Sequence, residues 1–306
     1  MSENDASGQR DLVRTQDFAV DGPIELDVTN GGGNVTIELT DSADGTVHVE
    51  VRHAPHGVDD WNKALDGLLS WVNKQFGETG LGAGTEQAPA TEAVRQTRVD
   101  LTGNRLVVRA PQSLGLRGVP LAITVTGPAD CPVSVRSGSG NATVTGPAGP
   151  VSVQSGSGAV SVENVTGKAT LRSGSGALRL GSATEAVHAR SGNGEIEIAG
   201  IAAASSVATG SGSVWLGAVD ADVLVRSGSG SVTIADAGGG QTELISGSGN
   251  VRVAVRQESF AEVDLTSSTG TASSDLLVED TAPDETPTFR VFARSGSGDV
   301  LVTSAV

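Results

Sequence analysis

The tetrapeptide Ser137-Gly-Ser-Gly140 returns along this chain at a fixed distance, and that spacing limits the available folds more than any other feature. Copies or near copies follow at steps of 18 residues, beginning at Ser155, Ser173, Ser191, Thr209 and Ser227. Later copies at Ser246 and Ser295 depart from this step, and Ser267 begins a degraded copy, Ser-Ser-Thr-Gly. A fixed period indicates a repeat architecture. We expect the irregular C-terminal copies to form a degenerating cap.

Apolar residues also recur at fixed places in every unit, which indicates stacked strands. The fifth and seventh residues after the first Ser of each unit are apolar, beginning with Ala142 and Val144, and largely apolar columns follow at the tenth, fourteenth and sixteenth. Such columns form when each unit is one coil and neighbouring coils pair as parallel strands about 4.8 Å apart. We therefore predict an all-β fold, a single-chain parallel β-solenoid with about 18 residues and two strands per coil. Right-handed crossovers are favoured, and an antiparallel β-sandwich is the competing fold.

The tetrapeptide itself is expected to be the corner of each coil, with Gly at positive φ and Ser hydroxyls stacked from coil to coil. A phosphate-binding P-loop would need a Lys and a helix after the glycines, and a strand follows here each time. A calcium-binding roll would need carboxylates in the next strand, where the sequence has Thr143, Ser161, Arg179, Glu197 and Trp215. The motif is therefore interpreted as structural, and we expect no catalytic residues, no cofactor and no metal ion.

Less regular sequence precedes the array. Residues 1–16 are polar and are predicted to form a disordered N-terminus, and residues 17–306 are assigned to the solenoid. Residues 53–97 interrupt it as an insertion, in which Asp59–Phe76 has the spacing of an amphipathic α-helix and 77–93 has the composition of a flexible loop. We expect this one inserted helix to lie over the solenoid flank near its N-terminal end, as a cap, because an open coil exposes strand edges, or as a docking element.

Charge and cysteine content limit the classes of partner and compartment. The chain has 36 Asp and Glu against 20 Lys and Arg, a formal net charge of −16, which opposes non-specific binding to nucleic acid or anionic lipid. The single Cys131 cannot form an intramolecular disulfide, and no apolar run is long enough for a transmembrane segment. With no signal peptide visible, we expect a cytoplasmic protein, or a cell-surface protein only through a non-classical export route.

Two sets of side chains are candidates for an interaction surface. An arginine precedes most copies of the tetrapeptide; these residues are Arg136, Arg172, Arg190, Arg226 and Arg294. Gln154 and Ala208 interrupt the row. Such an outward column either pairs with neighbouring acids on a solvated face or binds an anion, and stacked like charges repel unless interrupted. Trp71 and Trp215 form the second set, since exposed Trp marks partner surfaces in a chain with few aromatics.

The alternation of Val-x-Val, Ser-Gly-Ser-Gly and x-Val-x-Val, with the opening segment Phe18-Ala-Val-Asp-Gly-Pro-Ile-Glu-Leu-Asp-Val28, resembles the bacterial putative-adhesin β-strand-repeat family. That family is a domain of unknown function, and the resemblance is to its actinobacterial type. The resemblance covers residues 18–306 and implies a single-chain parallel β-solenoid whose motif carries no catalytic residues. The helical insertion departs from the common pattern of the family.

The function expected from the sequence is that of a non-enzymatic scaffold or protein-interaction module resembling these adhesins, with an unknown protein partner. The alternative is a self-associating structural protein, joined through the solenoid ends as a homo-oligomer or filament. A carbohydrate-binding or carbohydrate-processing β-helix is less favoured. Glycoside hydrolysis needs paired carboxylates, and the outward places of the regular coils alternate Ser, Thr, Arg and Glu without an acidic pair.

Overall fold

The computed structural model describes residues 12–41, 45–54, 87–257, 261–276 and 289–305. Within these ranges the chain forms two β-sheets of 13 and 12 strands and one α-helix, α1 (Gln87–Gln96). The first sheet contains β1 (Val13–Ala19), β3 (Val35–Thr40), β4 (Thr46–His53), β7 (Leu121–Pro128), β9 (Ala142–Ala148), β11 (Val160–Val165), β13 (Leu178–Ala183), β15 (Ile196–Ile201), β17 (Val214–Val219), β19 (Val232–Ala237), β21 (Val251–Val255), β23 (Ala272–Ser274) and β25 (Val300–Ser304). The second contains β2 (Glu25–Asn30), β5 (Arg98–Thr102), β6 (Arg105–Arg109), β8 (Val133–Ser137), β10 (Val151–Ser155), β12 (Ala169–Ser173), β14 (Val187–Ser191), β16 (Ser205–Thr209), β18 (Val223–Ser227), β20 (Gly240–Ser246), β22 (Ala261–Ser267) and β24 (Phe289–Ser295).

Parallel pairing between strands 18 residues apart confirms the β-solenoid. In the second sheet Val151 pairs with Ala169 and Ala169 with Val187, and in the first sheet Val160 pairs with Leu178. All of these side chains are buried, because each strand alternates between the interior and the outside and the apolar columns occupy the interior places. The core is therefore a thin layer between the two sheets, and the outward columns form the surface.

The corner glycines have a different cause from the one expected. Among the described residues, no glycine of the regular Ser-Gly-Ser-Gly corners has a positive φ. The one corner glycine that does is Gly33 (φ 87), which lies in the Asn-Gly-Gly-Gly corner. A Cβ on Gly176 would instead overlap the carbonyl oxygen of Gly158 in the neighbouring coil, and a Cβ on Gly174 would overlap that of Gly156. The corners contain Gly because the next coil approaches too closely for any side chain.

The corner serines are buried and close their own turns. Ser173 Oγ accepts a hydrogen bond from the Gly176 N–H at 2.8 Å, and Ser137 Oγ donates to the Gly140 carbonyl at 2.7 Å. Some also reach the preceding coil, as Thr209 Oγ1 does to the Gly194 carbonyl at 3.3 Å. The expected stacking of hydroxyls is thus a column of turn-closing bonds, which satisfies buried hydroxyls locally.

The coils at the N-terminal end do not follow chain order. The coil of β2 and β3 lies between the coil of β6 and β7 on one side and that of β8 and β9 on the other. Beyond the coil of β6 and β7, β4 extends the first sheet antiparallel to β7, β1 pairs antiparallel with β4, and β5 extends the second sheet antiparallel to β6. Antiparallel pairs therefore form this end of the array, with β1 and β5 as its outermost strands in the described residues. Residues 13–16 of the predicted disordered N-terminus belong to β1, where pairing with β4 orders them.

At the C-terminal end, too, the order of the coils differs from their order in the chain. The coil of β24 and β25 pairs with β20 and β21, and the coil of β22 and β23 lies outside it. The intact copy of the corner at Ser295 is thus internal, whereas the degraded copy at Ser267 ends the array. The copies therefore do not stack in chain order here, because a corner with a coil on each side needs both of its glycines.

Helix α1 (Gln87–Gln96) begins inside the segment 77–93, for which a flexible loop was predicted, and extends beyond it. Its Ala93 and Val94 are buried, and it packs against β4 and β1. Thr97 ends it, with Oγ1 donating to the Ala93 carbonyl at 2.8 Å, and Arg14 Nη1 donates to the Thr97 carbonyl at 2.7 Å. The predicted helix Asp59–Phe76 lies outside the described residues. In the described part of the chain, no helix has the length and apolar character needed to cross a membrane.

Candidate functional site: the arginine face of the second sheet

The outward side of the second sheet carries two parallel columns over the six strands β8, β10, β12, β14, β16 and β18. One column is Ser134, Ser152, Thr170, His188, Ser206 and Leu224, and the other is Arg136, Gln154, Arg172, Arg190, Ala208 and Arg226. We call these residues the arginine face. None of them is an Asp or Glu, although the chain as a whole has a net charge of −16. At about 4.8 Å per strand the face extends about 24 Å along the solenoid.

Arginines at the two ends of the column have acidic partners. Arg136 Nη1 lies 3.8 Å from Asp27 Oδ1, and Arg294 Nη2, beyond the face, lies 3.6 Å from Asp264 Oδ2. Among the described residues, no carboxylate lies within 4.0 Å of the central arginines; these are Arg172, Arg190 and Arg226. Within the face, the pairing with a neighbouring acid that would make it a merely solvated surface therefore occurs only at Arg136, at its N-terminal end.

Arginines on other surfaces are mostly neutralised by acids. Arg179 Nε lies 3.2 Å from Glu197 Oε2 on the first sheet, and Arg290 Nε lies 3.1 Å from Glu262 Oε2. Arg256 contacts two acids, whose hydrogen bonds raise its pKa above the usual value. Arg14, Arg95, Arg117 and Arg252 also have no carboxylate within 4.0 Å in the described residues, but they lie on separate elements, whereas the face groups three unpaired arginines in one column and concentrates positive potential there.

A groove crosses the face between neighbouring coils. It has a volume of about 450 Å³, and its walls are the side chains of Arg172 and Arg190, which are neighbours in register. The floor consists of the corner residues Ser173, Ser191, Gly192, Thr209 and Gly210. The groove stays open because the next residue of the column is Ala208, whose methyl group is too short to fill it.

Asp27 marks the N-terminal boundary of the face. Its side chain is 1% exposed beneath Arg105, Arg109 and Arg136, with Arg105 Nη2 at 2.7 Å and Arg109 Nη2 at 3.4 Å from Oδ2. Hydrogen bonding to Asp27 raises the pKa of Arg105. Oδ1 has no hydrogen-bond partner and faces Arg136. These three guanidiniums are thus committed to a buried carboxylate.

The structure does not bring the predicted arginine and Trp sites together. Trp215 is 40% exposed on the first sheet, between Glu197 and Thr233, on the side of the solenoid opposite the arginine face. Its ring lies over Gly217, where a Cβ would approach Cη2 within 3.2 Å. Trp71 lies outside the described residues. The proposed surface residues therefore divide between two faces.

The column that runs from Ser134 to Leu224, here called the hydroxyl column, was not identified as a candidate surface from the sequence. Each of its members stands two residues before a member of the arginine column, and period-2 alternation puts both on the same side of the sheet. His188 is among them, with Nδ1 2.8 Å from Ser206 Oγ. In the described residues, His, Cys, Asp and Glu side chains form no group of three that could hold a metal ion.

The chain has matches among solved structures and protein families. No curated protein matches the sequence. A "putative adhesin" from Bacteroides fragilis NCTC 9343 is similar in structure at 14% identity, covering 95% of this chain and 96% of that one, with a TM-score of 0.42. One from Parabacteroides distasonis ATCC 8503 has 11% identity, 94% and 96% coverage and a TM-score of 0.38. At such scores these likenesses carry no functional argument. The model of the Toastrack DUF4097 family matches residues 102–305, and the chain belongs to that family.

Proposed function

We propose that this protein is a non-enzymatic β-solenoid scaffold that binds an acidic segment of a protein partner on the arginine face. The observation that carries the proposal is that three exposed arginines of one column have no acidic partner in the described residues. Unpaired arginines favour carboxylate-rich ligands, since guanidinium groups bind carboxylates in bidentate geometry. The half-buried hydroxyls of Ser134, Ser152 and Thr170 in the neighbouring column supply further donors.

Several features favour a protein ligand over nucleic acid. The face is the flat side of a sheet, without an element that would enter a DNA groove. It carries no Phe, Tyr or Trp side chain on which unpaired bases could stack. The charge of −16 also repels a long polyanion, whereas a short acidic segment meets mainly the local positive potential.

The surface chemistry also supports a binding role over catalysis. The face has no carboxylate pair for acid–base hydrolysis of a glycoside. The one thiol, Cys131, is buried, and burial raises its pKa, so that it stays protonated and unreactive. Its sulfur accepts a hydrogen bond from the Ile24 N–H at 3.3 Å, which is a structural contact.

The test compares two variants with equal loss of charge. R172Q/R190Q/R226Q neutralises the face, and R117Q/R179Q/R252Q removes three exposed arginines elsewhere. Cross-linking and mass spectrometry of proteins captured from cell extract should identify a partner that the native chain and the second variant retain and the first loses. Equal capture by both variants would contradict the proposal.

Self-association is a second candidate, and the C-terminal coil favours it. Strand β22 pairs only with β24 in the described residues, and its inward residues Val263 and Leu265 are half-buried rather than buried. At the opposite end β5 likewise pairs only with β6 in the described residues, so β22 can pair with its own copy in a two-fold dimer or with that end in a filament. Light scattering over a concentration series tests this: a mass that stays at 30.6 kDa rejects it.

A further inference from the structure

We propose that the groove between Arg172 and Arg190 binds a phosphoryl group, carried as a phosphorylated side chain within the acidic segment of the partner. This inference rests on the proposed function, because the acidic segment brings the phosphoryl group to the face. Arg172 and Arg190 are the only arginines of the arginine face that are neighbours in register. Arg136 and Arg226 each stand beside uncharged residues of the column.

The charge of the arginine pair matches a phosphomonoester better than a carboxylate. Two guanidiniums on adjacent strands repel each other, and among the described residues no acid neutralises them. A carboxylate supplies one negative charge. A phosphomonoester carries about 1.5 to 2 at neutral pH and has three acceptor oxygens, enough to engage both guanidinium forks.

The groove also leaves room for a tetrahedral group. Gln154 precedes Arg172 in the column and Ala208 follows Arg190, so neither side places a second charged side chain in the space. The open volume of about 450 Å³ adjoins both arginines. An arginine at the place of Ala208 would extend across this opening.

The floor of the groove is rigid. Ser191 Oγ accepts the Gly194 N–H at 2.8 Å, and Thr209 Oγ1 donates to the Gly194 carbonyl at 3.3 Å. These hydroxyls are engaged in the corner turns, so recognition depends on the guanidiniums. Loss of one guanidinium should therefore remove the preference for phosphate without disturbing the coil.

The experiment measures binding of fluorescent peptides Glu-Glu-phosphoSer-Glu-Glu and Glu-Glu-Glu-Glu-Glu by anisotropy at fixed ionic strength. The native chain should bind the phosphopeptide about tenfold more tightly, the effect of one additional charge-assisted hydrogen bond. R190Q should abolish this preference and R252Q, a control on the first sheet, should keep it. A208E should abolish it by supplying an internal carboxylate, and the matched A235E on the first sheet should not. Inorganic phosphate should displace the phosphopeptide preferentially.

The outcomes separate this inference from the proposed function. Equal affinity of the native chain for both peptides, or a preference that survives R190Q and A208E, overturns the phosphoryl site. If both peptides bind equally and R172Q/R190Q/R226Q loses both, the site is wrong and the scaffold function stands. If neither peptide binds, both are wrong. Unchanged melting temperatures for R190Q and A208E exclude unfolding as the cause.

Discussion

Ser295 lies beside Ser246 in the second sheet, although the degraded corner at Ser267 comes between them in the chain. The Gly296 N–H donates to the Ser246 carbonyl at 3.1 Å, as in any pair of regular coils. Along the chain, therefore, the coil that ends the array comes before the regular coil that lies between it and the rest of the solenoid. The end coil needs a neighbour on only one side, so it tolerates a corner without the full set of glycines.

This coil order predicts which cysteine pairs form disulfides. Ile245 and Arg294 are outward neighbours in register, and Thr266 lies one strand further out. I245C/R294C should oxidise readily, because neighbouring strands place Cα atoms within disulfide range, whereas I245C/T266C spans two strand spacings. Intact mass under oxidising conditions checks this. Formation of the second disulfide and not the first would mean that the coils stack in chain order.

Corner glycines should tolerate no side chain. Gly176→Ala forces a Cβ onto the Gly158 carbonyl, so we expect a loss of about 1–3 kcal/mol in the free energy of unfolding or a failure to fold. Gly200→Ala is the matched control, because its Cβ would meet only Ser182 Cβ at 3.8 Å. Urea unfolding followed by circular dichroism compares the two variants, and similar midpoints would refute the explanation by close approach.

Arg256 forms ion pairs with acids of the two preceding coils, and Gly238 leaves space for its side chain. Its Nη1 lies 2.7 Å from Asp220 Oδ1 and its Nη2 lies 2.7 Å from Asp236 Oδ2. A Cβ on Gly238 would overlap Nη1. Gly238→Ala and Arg256→Gln should each cost about 0.5–1 kcal/mol, as for a partly exposed ion-pair network. The double variant should cost no more than either single one, since both remove the same contacts. Additive losses in unfolding free energy would contradict this.

Asp299 should make the C-terminal coil sensitive to acid. Hydrogen bonds from the Thr271 N–H at 2.8 Å and from Thr271 Oγ1 at 2.9 Å lower the pKa of Asp299 below its usual 3.8. A carboxyl with a lowered pKa in the folded chain stabilises it above the unfolded value, and this contribution is lost as pH falls through the folded value. NMR titration should give a pKa below that of Asp in the unfolded chain. A raised pKa would contradict the bonding pattern.

Much of the fold could be predicted from the sequence because the apolar columns repeat with the period of the coil. Val160, Leu178 and Ile196 occupy one column in the sequence and pair in register in the structure. The order of the end coils could not be predicted from spacing, since every coil presents the same alternation. The quality of the corner was an available signal: Ser295 begins a full copy and Ser267 does not.

The candidate site was only partly predictable. The row of Arg172, Arg190 and Arg226 is visible in the sequence, and alternation places it outward. Whether acids lie near it depends on strands far apart in the chain, as Asp27 beneath Arg136 shows. The groove depends on which residue stands in the next coil, here Ala208, and therefore on the register.

Binding of an acidic peptide to the arginine face tests the central claim most directly. Anisotropy of fluorescent oligoglutamate should show saturable binding to the native chain that weakens with added salt, because surface charge interactions are screened. R172Q/R190Q/R226Q should lose this binding and the equally charged R117Q/R179Q/R252Q should keep it. No binding to the native chain, or equal loss in the two variants, would contradict the assignment of the arginine face as the functional surface.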